Sequence, residues 1–162
     1  MGFVNGSLSA ILCLIIFASS SLASPTAYEK LEEYNLPIGI LPKGVLGYEL
    51  DPSTGKFSAS FNSSCSFSLE GSYQLRYKPA IRGYVSQGRI SGLEGVSVKL
   101  FLFWVDIVEV VRSGDDLEFS VGIAGAGFPV NNFEESPQCG CGLDCNGVKV
   151  IKLRSNPLVG SY

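Results

Sequence analysis

The sequence predicts a small, mainly β domain: a barrel-like (pseudo-barrel) antiparallel or mixed sheet with one short N-terminal helix. Apolar and polar residues alternate in successive segments from residue 45 onward, which is the pattern of half-buried strands. Turn-forming runs such as Asp51–Gly55 separate these segments. No long helical period follows residue 35, so the remainder of the domain is expected to be sheet and turns.

The single helix is predicted directly before this region. Thr26 and Glu29 have the spacing of a capping box, in which each residue satisfies a backbone amide of the other. Leu36 precedes Pro37 and is therefore pushed out of the helical region, which ends the helix. The apolar residues expected on its buried face are Ala27, Leu31 and Tyr34.

The strands are predicted from alternation and from the turns between them. The clearest pair is 45–50 with 56–61, which flank the turn Asp51–Gly55. In the second member, Phe57, Ala59 and Phe61 share one face. Further strands are expected at 65–69, 73–78, 81–85, 88–90 and 117–121.

The longest strand candidate runs from Val96 to Val111. Its middle is apolar on both faces, so it must be covered on both sides. One face is expected to line the interior of the sheet. The other carries Phe101 and Phe103, and the apolar face of the N-terminal helix is the expected cover. Asp106 interrupts the inward face and is interpreted as marking a bulge.

The first 23 residues are predicted to be a signal peptide. They carry no charged side chain, and the apolar core at 10–18 is too short to span a membrane. Small residues precede Ala23 in the pattern that a signal peptidase reads. We therefore expect residues 24–145 to form a single secreted β-barrel-like domain, followed by a basic tail at 146–162. The expected location is the extracellular space, the apoplast or the cell wall, without a stable transmembrane anchor.

Composition narrows the possible chemistry. The chain has no histidine, which removes the commonest general base and the commonest metal ligand. Its formal charge is -3, which argues against nucleic acid as a partner. We expect no cofactor and no bound metal.

The cysteines of the mature chain predict two disulfides. Cys139, Cys141 and Cys145 lie close together and Cys65 is remote. A four-thiolate zinc site is the alternative, but the spacing lacks paired C-x-x-C motifs, and secretion favours disulfides. Three pairings are possible. A bond between Cys139 and Cys141 would strain the ring, so Cys65 is expected to join one of them and Cys145 the other.

Other polar positions suggest modification or binding. Asn62-Ser63-Ser64 is a usable N-glycosylation sequon. A basic region in the middle of the domain could recognise an anionic head group while the apolar interior takes a chain. The alternative interpretation is outward strand charges that block edge pairing. The residues of this region are Arg76, Lys78, Arg82 and Arg89.

No catalytic spacing is present in the sequence. Among the carboxylates, Asp106 is the one expected to be partly buried, because it lies within an apolar strand. It is therefore the candidate catalytic residue of a carboxylate-dependent hydrolase.

Several segments together resemble a plant family. They are 36–45, 54–57, 95–99 with Trp104, 128–130 and 137–145. In this order they resemble the domain of unknown function 538 family, over roughly residues 26 to 145. The resemblance implies a small, mainly β, barrel-like domain. It implies no established activity and no catalytic residue. For that family, a lipid-binding role similar to bactericidal/permeability-increasing proteins has been proposed.

The leading functional hypothesis is a disulfide-stabilised module that binds an apolar or amphipathic, lipid-like small ligand. A second hypothesis is a cell-wall or apoplast interaction module whose interior is filled by its own side chains. A third is the hydrolase that uses Asp106. An interior cavity large enough for a ligand would favour the first hypothesis over the second.

Overall fold

The computed structural model describes residues 24–69 and 73–145. The predicted signal peptide at 1–23 and the predicted basic tail at 146–162 lie outside these residues. No helix within the described part is long and apolar enough to cross a membrane.

One α-helix, two short 3₁₀ helices and nine strands make up the described fold. The helix, α1, is Ala27–Glu33, and the 3₁₀ helices are Ile38–Ile40 and Val130–Phe133. The strands are β1 Val45–Leu50, β2 Lys56–Phe61, β3 Cys65–Ser68, β4 Gln74–Ser86, β5 Arg89–Leu100, β6 Phe103–Asp106, β7 Glu109–Ser113, β8 Asp116–Ser120 and β9 Gly125–Pro129.

The predicted capping box of α1 is confirmed. The Glu29 amide donates to Thr26 Oγ1 at 3.2 Å, and the Thr26 amide donates to Glu29 Oε2 at 2.6 Å. The hydrogen bond from the Thr26 backbone lowers the pKa of Glu29. Ala27 and Leu31 are buried, as expected. The helix is therefore capped by its own sequence and held to the domain by its apolar face.

The described fold is mainly β, as predicted. The sheet was expected to be antiparallel or mixed, and all of its described strand pairs are antiparallel, but it does not close into a barrel. The strand order is β1-β2-β4-β5-β7-β8-β9, with β3 paired to β4 and β6 paired to β5. Its ends, β1 and β9, are separate edges. The sheet therefore has one concave face that other parts of the chain must cover.

Two segments, 36–44 and 130–145, cover that face, and we call them the cover. They are bonded to each other, since the Lys43 amide donates to the Pro137 carbonyl at 2.8 Å and Ser136 Oγ donates to the Ile38 carbonyl at 3.0 Å. The second segment is bonded to β3 as well, through the Gly140 amide and the Ser66 carbonyl at 2.7 Å. The cover thus spans the opening that the sheet leaves.

The prediction of a single strand from Val96 to Val111 is wrong. It is a hairpin, because β5 ends at Leu100 and β6 folds back from Phe103, so that Leu100 lies opposite Phe103. The chain reverses at Phe101, whose φ is +54°. Side chains other than glycine rarely adopt this conformation. The segment carries none of the glycine, proline or asparagine that normally predicts a turn, and the apolar pattern therefore gave no sign of it.

The prediction that the N-terminal helix buries the aromatic residues of that segment is also wrong. Phe101 is 98% exposed and Phe103 is 73% exposed. The helix instead packs near β1, where Tyr48 Oη donates to the Pro25 carbonyl at 2.7 Å. Asp106 ends β6 opposite Ser97 and is exposed. The expected inward bulge and partial burial at Asp106 are therefore wrong, because the pairing register places Asp106 on the outer face while its neighbours Val105 and Ile107 pack against the core.

An apolar cavity between the sheet and its cover

A cavity of about 290 Å³ lies between the concave face of the sheet and the cover. Its lining is almost entirely apolar. The sheet contributes side chains such as Phe67, Val98 and Phe119, and the cover contributes Leu41 and Phe133. The interior of this domain is therefore not completely filled by its own side chains.

An irregularity in the pairing of β4 with β5 influences which side chains of β5 face the cavity. Leu93, Val96 and Val98 all line it, although Leu93 and Val96 are three residues apart and would face opposite sides of a regular strand. The irregular pairing of β4 with β5 lies between them. Gly95 sits there with a φ of +92°, and a Cβ on it would be 2.7 Å from the Ala80 carbonyl oxygen. Glycine is required at this close approach.

Aromatic rings form one wall of the cavity. The ring centroids of Phe119 and Phe133 are 5.3 Å apart, and those of Phe119 and Phe128 are 5.9 Å apart. Tyr73 meets Phe128 edge to face at 5.7 Å. These contacts join β8, β9 and the cover into a continuous aromatic wall, which gives an apolar ligand a rigid surface.

One buried polar group of the cavity wall belongs to Tyr77. Its hydroxyl donates to the Ile40 carbonyl at 2.8 Å, and its ring stacks on Phe67 with centroids 5.9 Å apart. Burial raises the pKa of Tyr77, so the hydroxyl stays neutral. Because the Tyr77 hydroxyl is already hydrogen-bonded to the cover, it offers no free donor to a molecule in the cavity.

Asn132 is a polar residue of the cavity lining whose side-chain nitrogen lacks a hydrogen-bond partner among the described residues. This Nδ2 atom is buried. A buried amide left unpaired costs about 1–3 kcal/mol. The nitrogen itself has almost no accessible surface, so it would donate to a hydrogen-bond acceptor of a molecule in the cavity only after the side chain turns toward that molecule.

Two residues that carry a charge at neutral pH also belong to the lining, namely Lys30 and Glu135. Lys30 Nζ lies 2.5 Å from Glu33 Oε2, and this hydrogen bond raises the pKa of Lys30. Because both partners are exposed to solvent to a substantial degree, the pair contributes little stability. The ion pair holds the Lys30 ammonium group where α1 borders the cavity.

The candidate head-group residues lie elsewhere. All four are exposed, and none belongs to the cavity lining. Arg76 stacks on Trp104, with Cζ 3.9 Å from the ring centroid. Arg89 forms an ion pair with Glu109. Lys78 and Arg82 project from β4. The structure therefore does not gather these residues at the cavity, and their role as head-group contacts stays a prediction.

The cysteines form two disulfides, in agreement with the expected pairing pattern. Cys65 is bonded to Cys139, and Cys141 is bonded to Cys145. The first joins β3 to the cover, and the second closes a small loop within the cover. Within residues 24–69 and 73–145, no group of three or more His, Cys, Asp or Glu side chains is arranged to hold a metal ion.

Asp106 and Asn62 both lie on the surface. Asp106 Oδ1 accepts a hydrogen bond from Ser97 Oγ at 2.7 Å, and Asp106 does not line the cavity. Asn62 is exposed in the bend after β2, as are Ser63 and Ser64. An accessible sequon is compatible with glycosylation, which stays a prediction.

Sequence reasoning did not identify Asn132 as a site residue. It lies in the 3₁₀ helix after β9, and an asparagine in a short polar loop usually caps or turns the chain. The sequence did contain one indication that Asn132 is buried. It is flanked by the apolar residues Pro129, Val130 and Phe133, which could pack inward. Only the tertiary arrangement shows that the amide faces the interior.

Comparison with known proteins places this fold in a family. "Uncharacterized protein At5g01610" of Arabidopsis thaliana is 30% identical to this chain over 95 residues, which are 59% of this chain and 55% of the relative. The chain therefore spans about half the length of this curated relative. A family described as "Protein of unknown function, DUF538" matches residues 27–134, which include α1 and all nine strands. The chain belongs to the DUF538 family.

Proposed function

We propose that this protein is a secreted, disulfide-stabilised module that binds one small apolar or amphipathic molecule inside its cavity. The observation that carries the proposal is the cavity of about 290 Å³ with its almost entirely apolar lining. That volume is just below the roughly 300–1,000 Å³ typical of ligand pockets. It suits a single short chain or ring system.

The energetic cost of the cavity supports this proposal. Protein interiors are normally close-packed, and an empty volume loses dispersion contacts. An unfilled apolar cavity of about 290 Å³ therefore lacks part of the dispersion energy that a filled core would have. A bound apolar molecule would recover part of that energy.

The polar groups of the lining suggest the kind of ligand. Tyr77 is already bonded to Ile40, whereas Asn132 Nδ2 has no partner in the described part of the chain. An apolar molecule with one hydrogen-bond acceptor, such as a carbonyl or a carboxylate, would satisfy that amide. This is the chemistry of a lipid-like amphipathic ligand.

The other hypotheses gain less support. A hydrolase that uses Asp106 would need this carboxylate near the bound molecule, but Asp106 is exposed and does not line the cavity. An interaction module with a solid core would not contain a cavity of this size. Secretion is supported by the predicted signal peptide and by the two disulfides, which persist in oxidising compartments.

The test compares the mass of the protein secreted from plant cells under native and denaturing conditions. We expect excess mass in the native spectrum only, because the bound molecule is released on unfolding. The variant Ala59→Phe fills the cavity from β2, since Ala59 is buried and lines it. Its native and denatured masses should agree.

The matched control is Ala80→Phe, which adds the same ring at an exposed position of β4. It should retain the excess mass of the wild-type protein. Equal native and denatured masses for the wild type would contradict the proposal. The same excess mass in Ala59→Phe would show that any bound molecule lies outside the cavity.

A further inference from the structure

We propose that the β5–β6 hairpin docks the protein on a lipid bilayer through its tip, Phe101, Leu102 and Phe103, which we call the hairpin tip. The docking stands on residues outside the cavity. A consequence of docking is that the membrane supplies the ligand of the cavity. This consequence alone rests on the proposed function.

The hairpin tip is an unusually exposed apolar feature. Phe101 is 98% exposed, Leu102 is 84% exposed and Phe103 is 73% exposed. The backbone of Phe101 has a φ of +54°, which costs free energy for a side chain other than glycine. A sequence that only needed a turn here would favour small polar residues. Three consecutive large apolar side chains in water indicate a surface that is covered in use.

A second apolar residue is exposed at the same end of the sheet. The β8–β9 turn carries Ile123, which is 89% exposed. Antiparallel pairing runs from β5 through β7 to β8, so the end of β8 and the end of β5 point in the same direction. Leu100, next to the hairpin tip, and Ala124, next to Ile123, both line the cavity. Both exposed apolar segments therefore adjoin residues of the cavity lining.

Cationic and aromatic groups lie directly behind the hairpin tip. Lys99 is opposite Trp104 in the hairpin, and the Arg76 guanidinium stacks on the same indole ring. Neither cation belongs to an ion pair within residues 24–69 and 73–145. The carboxylate on this outer face is Asp106, which accepts a hydrogen bond from Ser97. A tryptophan beside two cations is the combination that settles among lipid phosphates while apolar residues enter the acyl region.

The size and shape of the patch favour a bilayer over a protein partner. The three side chains of the hairpin tip form a projection of several hundred Å² at most, whereas each partner in a standard protein interface buries roughly 800 Å². A narrow projection also lacks the broad face around a central contact that excludes water in a protein interface. Insertion into a bilayer needs neither a large area nor a matching shape, because the acyl chains rearrange around the side chains.

The test uses the protein purified from cells that express the full chain, with vesicles of phosphatidylcholine alone or mixed with phosphatidylserine. Trp104 is the single tryptophan of the chain, so its fluorescence reports on the hairpin directly. We expect a blue shift when vesicles are added and quenching when their acyl chains are brominated. Binding should be tighter with phosphatidylserine, and Lys99→Gln should reduce that gain.

The double variant Phe101→Ser, Leu102→Ser should weaken vesicle binding by about tenfold or more, because two exposed apolar side chains no longer leave water. The matched control is Leu46→Ser, at a residue that is 70% exposed on β1, and it should bind like the wild type. Both changes are on the surface, and equal thermal unfolding would verify that each variant folds.

Three results would overturn the proposal: no vesicle binding by the wild type, unchanged binding by the double variant, or equal losses in the double variant and Leu46→Ser. Sedimentation velocity tests for self-association. If the protein self-associates through the hairpin tip and does not bind vesicles, the partner is a second copy of the chain and the proposal is wrong. Vesicle binding without a native mass excess would retain the docking and remove the cavity ligand, so the two proposals fail separately.

Discussion

The hydroxyl group of Tyr77 donates a hydrogen bond of 2.8 Å to the carbonyl of Ile40, and thereby joins the centre of the sheet to its cover. The two residues are 37 positions apart in the chain. Tyr77 is buried, and burial raises the pKa of its hydroxyl. This hydrogen bond, from a neutral donor in the apolar interior, therefore fixes the distance between the sheet and the cover at this point.

Removing this hydroxyl should destabilise the fold. In Tyr77→Phe the Ile40 carbonyl loses its partner, and we expect a loss of about 1–2 kcal/mol in the free energy of unfolding, measured by denaturant titration. Tyr84→Phe is the control, because Tyr84 is 49% exposed. A loss that is no greater than in this control would mean that the bond does not hold the cover.

The buried amide of Asn132 should select the ligand's polar group. Asn132→Leu removes the donor, so we expect weaker binding of chains that carry a carbonyl or a carboxylate and tighter binding of plain hydrocarbons. Titration calorimetry with matched pairs of fatty acids and alkanes measures both. Asn131→Leu serves as the control, since Asn131 is exposed. Parallel changes for both ligand types would show that Asn132 only shapes the cavity.

The two disulfides should contribute unequally to stability. Cys65–Cys139 spans 74 positions and Cys141–Cys145 spans 4. In the chain-entropy model their removal costs ~4 and ~2 kcal/mol respectively. We expect Cys65→Ser with Cys139→Ser to unfold at clearly lower denaturant than Cys141→Ser with Cys145→Ser. The reverse order would show that the small loop, and not the long crosslink, holds the cover.

Gly39 should be intolerant of any side chain. A Cβ at this position would lie 2.4 Å from the Phe133 carbonyl oxygen and 2.7 Å from that of Glu135. Gly39→Ala must therefore separate the two segments of the cover, and we expect a loss of ~2 kcal/mol or more in unfolding free energy. At Gly47, the nearest atom would be 3.6 Å away, on the Ser60 side chain. Gly47→Ala should accordingly be tolerated, and similar losses would contradict the close packing of the cover.

The β1–β2 turn should make stability depend on pH in the acid range. Hydrogen bonds from Ser53 and Thr54 lower the pKa of Asp51 from its ordinary value of 3.8 to about 2. A lowered pKa means that the ionised form stabilises the folded state, fully above pH 3.8 and progressively less as the pH falls through about 2.

Asp51→Asn should therefore be destabilised relative to the wild type near neutral pH, and the difference should shrink on acidification across that window. Thermal unfolding at a series of pH values measures it. The double variant Ser53→Ala, Thr54→Ala should show the same trend, because it removes the same hydrogen bonds. A difference that does not change between pH 4 and pH 2 would exclude Asp51 as its source.

Much of the local structure could be read from the sequence. The capping box at Thr26 and Glu29, the hairpin around Asp51 and the bounds of β1 and β2 were predicted as the structure has them. Each of these depends on residues a few positions apart, where side-chain chemistry and backbone conformation are directly coupled.

The sequence by itself determined the helix cap, the alternating strands and a set of cysteines suited to two disulfides, because these are local or countable properties. The tertiary structure alone decided that the segment after Leu100 turns back, that the sheet stays open and that a cavity remains beneath the cover. The physical reason is that an apolar strand looks the same whether it packs inward or projects into solvent. Which of the two occurs depends on strand pairing and on the volume that remote segments fill.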